Sequence, residues 1–100
     1  MITAFNPIVD SDDKIKVYPN PFSETVMFEI SGGSQSKISL KIFSLTGEEL
    51  ATVVNAKPIS GNYQTEWRPW QKLTSGVYLY KLLIEDSDNS YAREGKFIKY

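Results

Sequence analysis

The sequence predicts an all-β domain, an immunoglobulin- or fibronectin-like antiparallel β-sandwich of about seven strands. In several segments apolar and polar residues alternate, which is typical of strands that bury one face. Turn-forming residues separate these segments at intervals of about 8 to 12 residues. No segment shows a sustained helical period with capping residues at both ends, so no helix is predicted. A chain of 100 residues matches the size of one such sandwich.

The first three predicted strands show the alternation most clearly. They lie at residues 15–17, 26–30 and 38–42. Pro19 and Pro21 end the first strand, because proline fixes φ and lacks the N–H donor that a sheet requires. These prolines are expected to stiffen the chain where it crosses between the two sheets. Gly32 and Gly33 mark the turn after the second strand.

Four further strands are predicted in the second half of the chain. They lie at residues 48–54, 63–67, 76–84 and, after a polar turn at 86–90, 91–99. Thr46 and Gly47 precede the first of these and suit a hairpin whose glycine has a positive φ. Gly76 is expected to allow a close approach at the start of a long apolar run. That run is apolar on both faces, which predicts a central strand covered on both sides, with Tyr78 and Tyr80 facing the same way.

Chain length and charge limit the domain organisation and the partners. Residues 1–13 have the polar composition of a linker from a parent protein, and residues 14–100 are predicted to form the sandwich. Eleven Lys and Arg residues against twelve Asp and Glu residues give a net charge of −1, which is too weak to attract nucleic acid. No apolar segment reaches the length of a membrane-spanning helix, and no secretory leader is recognisable at the N-terminus.

The absence of histidine and cysteine excludes most catalytic and metal-binding chemistry. Without them the chain has no imidazole base, no thiol nucleophile, no disulfide and no usual zinc ligands. The neighbouring carboxylates Glu48 and Glu49 would point to opposite faces of a strand and could not flank one bond. Residues 86–90 imitate the start of a calcium loop, but Tyr91 stands where that loop needs glycine. We therefore predict no catalytic residues, no cofactor and no metal.

Aromatic residues near the fifth strand allow a second interpretation. Tyr63, Trp67 and Trp70 could lie flat on the sheet and hold a polysaccharide, as aromatic rings do in carbohydrate-binding modules. The other interpretation is packing, in which Trp67 is buried at the end of a strand while Trp70, after Pro69, is the more exposed ring. The sequence favours packing and leaves a polysaccharide as an alternative partner.

Three motifs together resemble the C-terminal sorting domain of the type IX (Por) secretion system. The first motif is Tyr18, Pro19, Asn20, Pro21 and Phe22. The second consists of residues 42–47 and ends at Gly47, and the third contains Gly76, Val77 and Tyr78. Residues 96–99 are similar to the family's last strand, so the resemblance covers residues 14–100. The sequence departs from the family pattern at Ser44 and Tyr100. The same motifs also look like those of immunoglobulin-like domains in flagellar hook-capping proteins, a relation that supports the fold more than the role.

The resemblance implies a non-catalytic address tag on a secreted or cell-surface protein, such as a polysaccharide-degrading hydrolase or a protease. A tag of this kind passes through the periplasm and is bound by the outer-membrane secretion machinery. A sortase-like protease then removes it, and we expect the cut within residues 8–14, where an extended polar backbone would be accessible. We also expect the domain to be a monomer.

Recognition by the machinery is predicted at the last strand, specifically at Lys96, Phe97, Ile98, Lys99 and Tyr100. These residues could offer a strand edge and two cations to a partner by strand addition. The periodicity alone is equally consistent with an ordinary seventh strand that carries solvated lysines. A carbohydrate-binding module and a passive immunoglobulin-like spacer are the alternative functions.

Overall fold

The computed structural model describes residues 14–32, 35–69, 72–87 and 89–100. These residues form seven strands and no helix, which confirms the predicted all-β class. The strands are β1 (Ile15–Tyr18), β2 (Val26–Ser31), β3 (Ser36–Phe43), β4 (Glu49–Ile59), β5 (Asn62–Trp67), β6 (Gly76–Glu85) and β7 (Ser90–Lys99). Accordingly, the described part of the chain has no helix that could span a membrane.

The strands form two antiparallel sheets that pack face to face as an immunoglobulin-like sandwich. One sheet has the strand order β1-β2-β5 and the other has the order β4-β3-β6-β7. Alternate side chains of both sheets point into the space between them. The apolar residues that recur at every second position therefore form one continuous core. The fully buried side chains are Phe22, Val26, Phe28, Ile30, Ile38, Leu40, Ile42, Leu82, Ile84 and Phe97.

Strand β4 is longer than the predicted strand at residues 48–54, because it continues to Ile59. Its pairing with β3 contains register shifts, and Ala56 adopts a φ of 51° while its N–H donates to the hydroxyl of Ser39 at 2.9 Å. Such irregularities interrupt the alternation that marks a strand in sequence. Pro58 lies in this irregular part of β4, which is an edge strand among the described residues, the kind of strand in which proline is tolerated.

Strand β6 lies between β3 and β7, so the long apolar run is the central strand that its composition predicts. Tyr78 and Tyr80 are both buried on the inner face, as predicted. Among the described residues the other sheet covers this strand on its inner face, and Val77 and Leu79 lie half-buried on the outer face.

The turns explain two of the motif glycines. Gly47 has a φ of 96° in the hairpin between β3 and β4, and its N–H donates to the carbonyl of Ser44 at 3.0 Å, which confirms the predicted turn. Gly76 does not permit a close approach, since a Cβ atom there would meet nothing within 4 Å. Its φ of 149° at the entry to β6 is the feature that favours glycine.

The predicted hairpin turn between β6 and β7 is confirmed. The N–H of Asp86 donates to the carbonyl of Asn89 at 2.7 Å, so the two strands are joined at their ends. The carboxylate of Asp86 also accepts a hydrogen bond of 2.6 Å from Ser36 at the start of β3. This carboxylate therefore holds the turn against the neighbouring strand.

Candidate functional site

Strand β7 contains four of the five predicted recognition residues, and Tyr100 follows it directly. Among the strands of the described residues, β7 is an edge strand whose neighbour is β6. The register between them is unbroken from Gly76 opposite Lys99 to Glu85 opposite Ser90. In an antiparallel pair the backbone groups of alternate residues point to the partner strand and to the free edge. The N–H and C=O groups of Ile98 bond to residues outside β6, so the even-numbered residues of β7 direct their N–H and C=O groups outward.

Residues 20–22 lie against one end of this edge, and we call them the covering segment. Phe22 N–H donates to the carbonyl of Ile98 at 2.9 Å, and Tyr100 N–H donates to the carbonyl of Phe22 at 2.9 Å. The side-chain oxygen of Asn20 accepts the N–H of Ile98 at 2.8 Å. We therefore call residues 98–100 the closed edge segment. We call residues 92–96 the open edge segment, because no other described strand or loop bonds to their outward backbone groups.

The proline motif delivers the covering segment to this position. Strand β1 ends at Tyr18 in the three-stranded sheet, and the chain then crosses to β7 in the four-stranded sheet. Pro19 and Pro21 lie in this crossing, as predicted, and both of their preceding peptide bonds are cis. Asn20 lies between them, so the two prolines flank the side chain that bonds β7.

Phe97 is fully buried and cannot contact a partner through its side chain. Its ring lies at the centre of an aromatic cluster, with the centroids of Phe22 and Phe28 at 5.6 and 5.8 Å. The rings of Trp67 and Tyr78 are both 6.3 Å away. These distances are within the range of favourable aromatic pairs. The role of Phe97 in recognition, if a partner binds β7, is to hold the strand in place.

The other four predicted recognition residues are accessible to different degrees. Tyr100 is 69% exposed and Ile98 is 43% exposed. Lys96 is exposed on the outer face of the sheet, whereas Lys99 lies on the opposite face with its ammonium 5.9 Å from the ring centre of Phe22. The two predicted cations therefore lie on opposite faces of the sheet.

A shallow groove of about 390 Å³ follows the outer face beside the open edge segment. Its lining includes the apolar side chains of Phe43 and Leu79 and the side chain of Lys96. Glu94, also in the lining, has its carboxylate 3.5 Å from the ammonium of Lys81. Lys96 takes part in none of the ion pairs found among the described residues.

Tyr18, the first residue of the proline motif, belongs to a polar cluster on the outer face of the other sheet. Its hydroxyl donates to a carboxylate oxygen of Glu29 at 3.2 Å, and the Gln64 amide donates to the same oxygen at 2.6 Å. Desolvation, the hydrogen bond to Glu29 and the charge of that carboxylate together raise the pKa of Tyr18. Tyr18 therefore joins β1 to the neighbouring strands as a hydroxyl donor.

The proposed sugar-binding aromatic residues do not form a flat exposed platform. Tyr63 and Trp67 are half-buried and pack against the core between the sheets. The Trp67 ring meets the ring of Phe97 edge-on at 6.3 Å, so its faces are not presented together to solvent. This arrangement supports the packing interpretation for Tyr63 and Trp67. Trp70 lies outside the described residues.

Gly95 is a structurally important residue that the sequence analysis does not identify. A Cβ atom at this position would collide with the ring and hydroxyl of Tyr80 on the neighbouring strand. Glycine therefore allows the Tyr80 ring to lie directly over β7. A glycine in the interior of a predicted strand is the signal that could have identified this close approach.

Comparison with known proteins gives one family. A model of the family described as the secretion system C-terminal sorting domain matches residues 16–98. No curated protein is detectably similar to the chain.

Two similar solved structures come from Porphyromonas gingivalis. A crystal structure of dimeric latent PorU is 22% identical, with a TM-score of 0.66 over 85% of this chain and 9% of that one. A structure of PorZ, described as an essential surface component of the type IX secretion system, is 21% identical, with a TM-score of 0.60 over 92% of this chain and 12% of that one. These likenesses support the fold, and this chain spans about a tenth of either protein.

Proposed function

Because the chain belongs to the family of type IX secretion system C-terminal sorting domains, we propose that it is the export address of a larger protein joined to it. The domain is a sorting signal and not an enzyme, and it marks its protein for secretion or for the cell surface. The proposed route passes through the periplasm and across the outer membrane. The proposed cargo is a polysaccharide-degrading hydrolase or a protease, since enzymes that digest large polymers must act outside the cell.

We assign recognition by the outer-membrane machinery to strand β7. The observation that carries this assignment is that, within the part of the chain that the structure describes, β7 is an edge strand whose outer backbone groups are only partly occupied. The exposed side chains of Lys96 and Ile98 lie on this strand, and that of Tyr100 directly follows it. An unpaired strand edge with accessible side chains is a surface that another protein can bind specifically.

Removal of the domain is assigned to a sortase-like protease that cuts within residues 8–14. The polar composition of residues 1–13 supports a linker, and a cut before β1 would leave every described strand in one piece. The released domain is expected to be a monomer. Mass spectrometry of cargo collected from the cell surface should find protein without this domain, and intact cargo would contradict the assignment.

The export function can be tested with a reporter protein fused to this chain in a bacterium with a type IX system. We expect the reporter to reach the cell surface, and its retention in the periplasm would contradict the proposed function. Deletion of residues 96–100 is a poor test, because it removes the buried Phe97 together with the exposed residues. Point substitutions that preserve the core are therefore required.

Lys96→Glu is such a substitution, and Lys16→Glu is its matched control. Both lysines are exposed, and Lys16 lies on β1 in the other sheet. If β7 is the recognition strand, Lys96→Glu should lower surface display by about ten-fold, corresponding to the loss of one favourable charged contact. Lys16→Glu should be displayed like the wild type. Equal display of both variants would contradict recognition through the Lys96 side chain.

A further inference from the structure

We propose that the partner adds one extended strand to the open edge segment of β7, residues 92–96, and that an acidic side chain of this strand lies beside Lys96. This inference rests on the proposed export function and specifies the chemistry of its recognition step. It depends on three features of the edge: its free backbone groups, its closed end and its unpaired charge.

The free backbone groups belong to Glu94 and Lys96. Their N–H and C=O groups point away from β6 and have no hydrogen-bond partner among the described residues. Ala92 contributes an outward N–H, while its carbonyl accepts a hydrogen bond of 3.1 Å from the Arg93 guanidinium. At about 3.4 Å per residue, the open edge segment accommodates an added strand of roughly five residues.

The closed end fixes where the added strand must stop. Asn20 and Phe22 occupy the position that a neighbouring strand would take beside residues 98–100. Phe22 is fully buried, so the covering segment cannot leave without opening the core. The covering segment also shows that this edge accepts an extended backbone, because Phe22 and Lys99 already form a parallel bridge.

The charges on the outer face favour an acidic residue in the added strand. Side chains of adjacent strands lie next to each other on the same face, where opposite charges attract and like charges repel. Glu94 is already 3.5 Å from Lys81, whereas Lys96 has no ion-pair partner among the described residues. A carboxylate placed beside Lys96 would therefore form an ion pair with its ammonium group.

A second copy of this chain fits the edge poorly. Only one antiparallel two-fold pairing brings Glu94 opposite Lys96 of the other copy, and its centre is Gly95. That register places Ala92 of the second copy opposite Ile98, where Asn20 already binds the backbone. The partner strand is therefore expected to come from a protein of different sequence.

Proline substitution tests the backbone contact without removing an internal ladder bond. In Glu94→Pro the lost N–H points to the free edge, and proline is tolerated on edge strands. The matched control is Glu66→Pro on β5, the edge of the other sheet. The N–H of Ser31 donates to the carbonyl of Lys14, so the odd-numbered residues of β2 direct their backbone groups towards β1 and the even-numbered ones towards β5. Glu66 lies opposite an odd-numbered residue of β2, so its N–H also points outward.

We expect Glu94→Pro to lower surface display of the fused reporter by about ten-fold or more, through the lost hydrogen bond and the added ring. Glu66→Pro, which also replaces an exposed glutamate by proline, should be displayed like the wild type, and all variants should have the same circular dichroism spectrum. Display of Glu94→Pro equal to that of Glu66→Pro would overturn the edge contact. A wild-type reporter that stays inside would instead refute the export function itself.

Amide hydrogen exchange gives a test that does not depend on a variant's folding. The probe is the detergent-solubilised outer-membrane complex of a type IX bacterium, added to the complete chain. We expect binding to slow exchange at the amides of Glu94 and Lys96 by about a hundred-fold, and to leave the already bonded Ile98 amide unchanged. Unchanged exchange at Glu94 and Lys96 in the bound domain would overturn the proposal. A dimer of this chain that Glu94→Pro dissociates would overturn the assignment to a different protein.

Discussion

The two ends of β7 have different roles although they belong to one continuous strand. At the closed edge segment the covering segment occupies the outward backbone groups, and the neighbouring Phe97 fills the core. At the open edge segment Glu94 and Lys96 keep their backbone groups free among the described residues. The comparison shows that the recognisable proline motif has a structural role, because it covers one end of β7. The surface suited to binding is the open edge segment, which lies next to the covered residues.

Among the substitutions that test this comparison, Phe97→Ala should have the largest effect on stability, because it removes the ring at the centre of the aromatic cluster. We expect the free energy of unfolding to fall by roughly 3 to 5 kcal/mol, as is usual when a buried phenylalanine is truncated. Denaturation with urea measures this loss. Tyr100→Ala, three residues along the chain, is the control and should change stability by no more than about 0.5 kcal/mol. Similar losses for the two variants would mean that the end of β7 has no buried role.

Gly95→Ala should have the next largest effect and tests the inner face of the open edge segment. The new methyl group would collide with the Tyr80 side chain, so we expect a loss of about 1 to 3 kcal/mol. Combining it with Tyr80→Leu should cost less than the sum of the two single changes, because the smaller side chain removes the collision. Strict additivity in urea denaturation would show that Tyr80 does not constrain position 95.

Asn20→Ala should have a smaller, local effect at the closed edge segment. It removes the acceptor for the Ile98 N–H, and we expect a loss of about 1 kcal/mol together with faster exchange of that amide. The amide of Tyr100 should remain protected, since its acceptor is the backbone of Phe22. Asn55→Ala, an exposed residue on β4, is the control. Unchanged exchange at Ile98 would contradict the capping role of Asn20.

Tyr18→Phe should have the smallest effect, visible only at alkaline pH. The folded state raises the pKa of Tyr18 above about 10, so folding favours the protonated hydroxyl. The resulting stabilisation is present below the unfolded pKa and is lost as the pH rises through the folded pKa. Thermal unfolding from pH 9 upward should therefore show a shallower decline in the variant than in the wild type. Identical declines would contradict the hydrogen bond to Glu29.

The sequence predicts the fold well because most strands here follow a period of two. The alternation locates β2 and β3 closely, and it places Tyr78 and Tyr80 on the same buried face. It fails for the second half of β4, where register shifts break the alternation. Local patterns can identify strands that bury one face, but they cannot register an irregular edge strand that depends on its neighbour.

The candidate site could be located only coarsely from the sequence. The sequence predicts that the last strand can offer an edge, and β7 is an edge strand among the described residues. Nothing local in the sequence shows that Asn20, 78 residues away from Ile98, closes part of this edge. The burial of Phe97 likewise depends on rings contributed by distant strands. Contacts between residues that are far apart in the chain determine which part of β7 is open. Such contacts cannot be inferred from the local pattern of a single sequence.

Amide hydrogen exchange of the free domain, followed residue by residue by NMR, tests the division of β7 most directly. The structure predicts slow exchange at Ile98 and Tyr100, whose N–H groups are bonded to the covering segment, and exchange about a hundred-fold faster at Glu94 and Lys96. Equal protection at all four amides would contradict the existence of separate closed and open edge segments.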